Sequence, residues 1–164
     1  MSQMIRVEEY SNTYQAQIVD LILHIQQDEY QIPITQADQP DLLEVGNFYQ
    51  KGYGNFWVAL DTDKVVGTIA LLDIGDRYLA LRKMFVAKEY RGQVYKAAHK
   101  LLSTALAWSV TKGIQEIYLG TTRQFLAAHR FYEKNGFQEI PSGELPSVFP
   151  VMAVDKKFYK YTIG

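Results

Sequence analysis

The residues with the most chemical promise lie between Leu81 and Gly113. In Leu-Arg-Lys-Met-Phe-Val, residues 81–86, the apolar positions are Leu81, Met84 and Val86, spaced three and then two apart. A regular strand keeps a period of two, so the slip predicts a β-bulge between Leu81 and Met84. A bulge splays a strand and leaves backbone N–H groups unpaired. Such groups aimed into a cleft can bind a carbonyl or an oxyanion. The competing reading is an irregular edge strand with no such role.

Lys88-Glu89-Tyr90-Arg91-Gly92-Gln93 follows as a charged turn into a helix. Strand, turn and helix N-terminus together form a geometry that captures phosphate, through free N–H groups and the helix dipole. Arg91 and Lys96 add positive charge there. The competing reading is a solvated loop.

Other chemistries are poorly supplied. With no cysteine, disulfides, thiolate nucleophiles and Cys-ligated metals are excluded. His24, His99 and His129 fall on three separate predicted helices and read as structural or surface residues. No group of residues has metal-ligand spacing, and no Walker-type loop points to ATP.

The elements that must position these residues come from periodicity. Residues 4–10 alternate weakly and predict a strand. Ile18, Leu21, Ile22 and Ile25 predict a helix over 14–27. A polar loop with Pro33 follows, and Pro40 and Asp41 open a shorter helix to about Gln50. Residues 55–60 and 64–74 predict strands joined by a hairpin turn at Asp61-Thr62-Asp63, and residues 78–87 predict a third. Ala97, Ala98, Leu101, Leu102, Ala105 and Trp108 form the apolar stripe of a helix over 93–111, ended by Lys112-Gly113. Residues 114–120 predict a strand, and Thr121 or Thr122 caps a helix over 123–134. Phe137–Ile140 and Val148–Tyr161 are strand-like.

The order β α α β β β α β α β β predicts an α/β fold, a mixed sheet with helices on both faces in a three-layer α/β/α arrangement. The central β–α–β–α–β run predicts parallel neighbours. A chain of 164 residues predicts one domain, 1–164, with a core that forms unaided. The formal charge of −1 lacks the footprint of a general nucleic-acid binder. No apolar run approaches a membrane span, and the first residues have no basic segment followed by an apolar one, so a soluble cytoplasmic protein is expected.

Two segments resemble one known family. LRKMFVAKEYRG before a long helix looks like the acyl-CoA-binding core of the GNAT N-acyltransferases. IYLGTTRQFLAAHRFYEKNGFQEI looks like that family's later strand–helix–strand, with AHRFYEKNGF (128–137) the most specific piece. The resemblance spans Phe56 to Ile140 and implies acetyl-CoA as co-substrate, with no metal.

In the family the turn after the bulged strand reads Arg or Gln, two residues, Gly, one residue, then Gly or Ala. Counted from Arg91, Val94 and Lys96 stand at the small positions. Counted back from Leu101-Leu102, Lys96 and Ala98 do, with a loop about two residues longer. The second register keeps the helix stripe intact and is preferred. Lys96 then replaces a backbone contact with a charge.

The resemblance implies that the thioester carbonyl meets the backbone of Met84–Phe85. The pantetheine arm pairs with Val86, and the pyrophosphate meets Arg91, Gly92, Gln93, Val94, Tyr95, Lys96 and Ala98. Thr121, Ala128, Phe131 and Lys134 complete the cofactor wall. Tyr132 matches the tyrosine that protonates the departing thiolate in many members; a core aromatic is the competing reading. Some relatives carry a glutamate base on the bulged strand, where this chain has Arg82 and Lys83. Asp28, Glu29 and Glu44 lie in the region that walls the acceptor side, each also readable as a solvated charge, and no base is assigned.

The leading expectation is an N-acetyltransferase moving acetyl from acetyl-CoA to a primary amine by direct attack in a ternary complex. The amine belongs to a small molecule or to a protein. The alternative is a non-catalytic acyl-CoA sensor or partner-binding module on the same fold. A third option is an enzyme acting on tRNA or ribosomal protein; the charge disfavours the nucleic acid. No membrane partner is expected. The aromatic tail after Leu145 completes the sheet, walls the acceptor pocket, or makes a homodimer contact through exposed Phe149, Phe158 or Tyr159.

Overall fold

The computed structural model describes residues 4–92 and 95–163. Gln93 and Val94, both expected at the pyrophosphate, lie outside the described residues.

Seven strands form one sheet: β1 (Arg6–Glu9), β2 (Asn55–Asp61), β3 (Lys64–Gly75), β4 (Tyr78–Val86), β5 (Glu116–Thr121), β6 (Gln138–Ile140) and β7 (Lys157–Thr162). Four helices accompany them: α1 (Gln15–Leu23), α2 (Val45–Phe48), α3 (Ala97–Thr111) and α4 (Leu126–Lys134). The sheet order is β1-β2-β3-β4-β5-β7-β6.

The middle strands read as continuous apolar runs because both their faces are covered. Phe56, Val58 and Leu60 of β2 pack with Ile18 and Ile22 of α1. Trp57 and Ala59, on the other face, share a core with Leu101, Leu102 and Ala105 of α3. Each fully buried leucine of that stripe contributes about 1.5–3 kcal/mol. Tyr132 of α4 joins the α3 side. The three-layer α/β/α arrangement with a mixed sheet is therefore the observed fold.

Several expectations need correction. Among the described residues only β4 and β5 are parallel neighbours. β7 inserts between β5 and β6 and runs antiparallel to both, so the strand after α4 does not reach β5. The strand expected over 148–161 starts at Lys157. Pro146 and Pro150 lack the N–H that a ladder needs, and residues 148–156 form turns. The first helix leaves α geometry at Leu23 and widens into a π turn over His24–Glu29. The second breaks into a 3₁₀ turn at Pro40–Leu43 and the single turn of α2. α3 starts at Ala97, not 93, and α4 at Leu126 behind Phe125 rather than behind a threonine cap. The hairpin at Asp61-Thr62-Asp63 forms with Thr62 at φ +57°, and Gly113 ends α3 at φ +69°.

Phe149, Phe158 and Tyr159 are all buried, so a dimer contact through exposed copies of them is not available. Among the described residues, no helix is long and apolar enough to cross a membrane.

Candidate functional site

The site begins where two strands part. β4 and β5 pair only over Tyr78–Ala80 and Glu116–Tyr118. Beyond Ala80 the strands diverge, and the register carried forward sets Arg82 across the opening from Gly120.

The expected bulge is present, with its extra residue inside the Leu81–Met84 interval. Ala70 faces Arg82 and Thr68 faces Phe85, so Ile69 of β3 opposes both Lys83 and Met84 of β4. Lys83 absorbs the extra residue with φ +54°. Thr68 Oγ1 donates to the Lys83 carbonyl at 2.6 Å and anchors the distortion.

A cleft of about 640 Å³ fills the opening. Met84, Phe85 and Val86 line one wall, and Thr121, Ala128, Phe131 and Tyr132 line the other. Arg91, Gly92, Lys96, Ala98 and Lys134 also border it. Tyr95 does not: its ring packs against Tyr90 with centroids 4.8 Å apart.

At one end of the cleft α3 begins. Its first N–H groups have no intrahelical partner, and Ala98 and His99 border the cavity. Lys96 precedes the helix at φ +54°, a conformation that favours glycine. Both registers set Lys96 at a small-residue position, so this backbone conformation fits either. Gly92 is also left-handed, at φ +98°.

Arg91 is less free than expected. Its Nε donates to the Val86 carbonyl at 2.9 Å, and its two terminal nitrogens donate to the two carboxylate oxygens of Glu29. This hydrogen-bonded pairing holds the Glu29 carboxyl below the usual range. Glu29 is therefore a partner of Arg91, not a base at the acceptor. Asp28 pairs with His24 at 3.0 Å, and Glu44 accepts from Asn47 at 3.0 Å. None of the three borders the cleft.

Tyr132 is 4% exposed and packs among Phe131, Phe137 and Tyr159. Burial pushes its hydroxyl pKa up, so it keeps its proton. Among the described residues its hydroxyl has no hydrogen-bond partner. The ring belongs to the core, and the residue also borders the cavity. His129 is buried, with Nε2 3.0 Å from the Thr122 carbonyl, and burial lowers its pKa.

The opposite end holds residues that sequence reasoning did not assign. Lys83 Nζ donates to Gln39 Oε1 at 2.5 Å and lies 3.6 Å from Asp41 Oδ2. Asp41 accepts from the Tyr49 hydroxyl at 2.5 Å, and Gln39 exchanges amide hydrogen bonds with Gln26. The Arg82 guanidinium lies over Phe48 and Tyr49. Asp155 borders the same end, and burial raises its pKa. Asp155 escaped notice because its segment was read as strand; no local pattern marks it. Among the described residues no cluster of three or more histidines and carboxylates could hold a metal ion.

A mixed sheet parted by a bulge, with a helix N-terminus at the opening, defines a class of α/β fold with a cleft between two diverging strands. The family model described as the acetyltransferase (GNAT) family matches residues 19–137. This chain belongs to the GNAT acetyltransferase family. A crystal structure of a GNAT-family acetyltransferase from Staphylococcus aureus is 40% identical with a TM-score of 0.93, covering 96% of this chain and 98% of that one. An acetyltransferase from Streptococcus agalactiae is 34% identical with a TM-score of 0.93, covering 98% and 99%. N-acetylaspartate synthetase of Xenopus tropicalis is 35% identical over 106 residues, which are 63% of this chain and 38% of that protein. N-acetyltransferase family 8 member 2 of Rattus norvegicus is 30% identical over 111 residues, 65% of this chain and 48% of that protein. The chain thus spans less than half the length of these two relatives.

Proposed function

We propose that this protein is an acyl-CoA-dependent N-acetyltransferase that moves acetyl from acetyl-CoA to an amine by direct attack in a ternary complex. The observation that carries the reading is the β4–β5 opening, with an unpaired strand edge beside Met84 and Phe85. An extended amide-bearing arm fills such an edge much as a peptide strand does. The N-terminus of α3, with Lys96 beside it, suits a pyrophosphate. Names of relatives that speak of N-acetyl transfer support the same chemistry.

In this reading the thioester carbonyl accepts from backbone N–H groups at Met84–Phe85, which stabilises the oxyanion formed on attack. The pantetheine arm runs beside Val86. The amine nitrogen, having lost a proton, bonds to the carbonyl carbon and the C–S bond breaks. The Tyr132 hydroxyl donates to sulfur as charge builds there; general-acid contributions of this kind are about 10²–10⁴-fold.

Incubation with acetyl-CoA and a panel of amines tests the reading, with free thiol and acetylated amine both measured. Amine-dependent release of the two products in equal amounts is expected. Binding of coenzyme A without turnover of any amine would favour the sensor alternative.

A further inference from the structure

The acceptor end of the cleft has a polarity that the transfer reaction by itself does not demand. Arg82 is a half-buried guanidinium with no carboxylate at ion-pair distance among the described residues. Its Nη2 contacts only Met152 Sδ, at 3.4 Å, and its Cζ lies 5.8 Å from the Phe48 ring centroid and 5.9 Å from that of Tyr49. The two rings flank the group while its N–H fork stays largely unused. That fork matches a carboxylate in geometry and charge. Lys83 adds a second cation beside it, already committed to Gln39 and Asp41.

Facing these cations is one anion. Asp155 lies over Gly120, so close that a Cβ there would sit 2.7 Å from Asp155 Oδ2. Its Oδ2 accepts from the Met152 N–H at 2.9 Å. A carboxylate has about four acceptor positions, so most of this one stays available to the cavity. Arg82 and Lys83 are near enough to act on it electrostatically. Among the described charged side chains bordering the cleft, Asp155 is the single anion against Arg82, Lys83, Arg91, Lys96 and Lys134.

From this dipolar arrangement we infer that the acceptor is a free α-amino acid, its carboxylate on Arg82 and its ammonium on Asp155. The inference rests on the transferase reading above and deepens it. A diamine or polyamine would bring a second positive charge against Arg82 and Lys83, with no second carboxylate to receive it. Ile25, Ile34, Phe149 and Val154 make the remaining walls of this end apolar and suit an apolar side chain.

Asp155 then has a chemical role. The bound ammonium passes one proton to the Asp155 carboxylate. The freed nitrogen pair forms the C–N bond at the thioester carbonyl, the C–S bond breaks, and its electron pair leaves on sulfur with the Tyr132 proton; the nitrogen's second proton passes to solvent, solvent returns a proton to Tyr132, and Asp155 gives its own proton to solvent as the amide leaves. Desolvation already raises the affinity of Asp155 for a proton, which suits that transfer.

The test compares free amino acids with their α-amides and decarboxylated amines, for instance leucine, leucinamide and 3-methylbutylamine, with spermidine added. The expected kcat/KM of the acid exceeds that of its amide and its amine by at least about tenfold, since a site built for a polar group rejects analogues lacking it. Arg82→Gln is expected to raise KM for the acid about tenfold or more while moving the amide less than about threefold, which erases the selectivity. A loss of fold would lower both equally, and Arg82→Lys should restore part of the preference. Asp155→Asn should lower kcat about 10²-fold with coenzyme A affinity retained. Amides, simple amines or spermidine turned over as well as the acids would overturn the inference and leave the transferase reading standing. Turnover of no member with coenzyme A still bound would overturn both the inference and the transfer reaction. Failure to bind coenzyme A at all would remove the cofactor reading beneath them.

Discussion

Lys83 Nζ lies 3.6 Å from Asp41 Oδ2, with 7% of the lysine side chain and 5% of the aspartate exposed. Burial lowers the Lys83 pKa to about 8 against an ordinary 10.5. Asp41 opposes that shift without cancelling it. The folded-state value is the lower one, so between pH 8 and pH 10.5 the unfolded chain holds more protons than the folded one. Stability contributed here therefore rises with pH across that window, by about 3 kcal/mol at most. Buried tyrosines such as Tyr49 and Tyr132, with raised pKa values, turn the trend down above about pH 10. Urea denaturation of the wild type and Lys83→Met between about pH 8 and pH 10 checks this. The wild type should gain on the variant as pH rises, and parallel curves would remove the buried ammonium as the cause.

Lys96 carries two opposed effects. Its φ of +54° costs a side-chain-bearing residue about 1 kcal/mol relative to glycine. Its ammonium stands at the N-terminus of α3. Lys96→Gly should therefore raise stability by up to about 1 kcal/mol while weakening coenzyme A binding about two- to fivefold, the size of an exposed charge contact. Lys96→Ala should weaken binding equally without the stability gain. Denaturation and calorimetric titration of both variants give the two numbers. Unchanged affinity in both would take Lys96 out of the site.

Tyr132→Phe keeps the ring among Phe131, Phe137 and Tyr159 and removes only the hydroxyl. Turnover should fall at least about tenfold and toward 10²-fold, with acetyl-CoA affinity nearly unchanged. Steady-state kinetics beside equilibrium binding separates these. Full activity would show that solvent protonates the thiolate.

Gly120→Ala sets a methyl against the Asp155 carboxylate, at 2.7 Å from both Oδ2 and Cγ. The side chain must move. Activity should fall about tenfold or more with coenzyme A binding retained, and stability should drop by about 1–2 kcal/mol. Wild-type activity in this variant would mean that the Asp155 position does not matter to transfer.

The strand and helix periods made the central half of the fold readable. β2, β3, β4, α3 and β5 fall within a few residues of their expected bounds, because the strands are packed on both faces and α3 carries one apolar stripe. The bulge was visible as a slip from period two in Leu81–Val86 and appears at Lys83. The pairing of β7 with β5 was not visible, since strand order depends on long-range contacts that local pattern does not encode. Arg91 looked like a phosphate ligand by position, yet Glu29, 62 residues away in sequence, takes its guanidinium. Asp155 and Asp41 reach their places through turns, which carry no periodicity to read. Tyr132 was singled out through its surrounding motif, where its type alone would have marked only a core aromatic, and it is both buried and on the cavity wall.

Every step of the proposed transfer needs coenzyme A in the β4–β5 opening. A thermal-shift titration with coenzyme A, acetyl-CoA and ATP measures this. A ligand at about 100 times its Kd stabilises by about 2.7 kcal/mol, roughly a 5–10 °C rise for a domain this size. The account predicts that rise with both coenzyme A species and none with ATP. No rise with either coenzyme A species, or an equal rise with ATP, would contradict it.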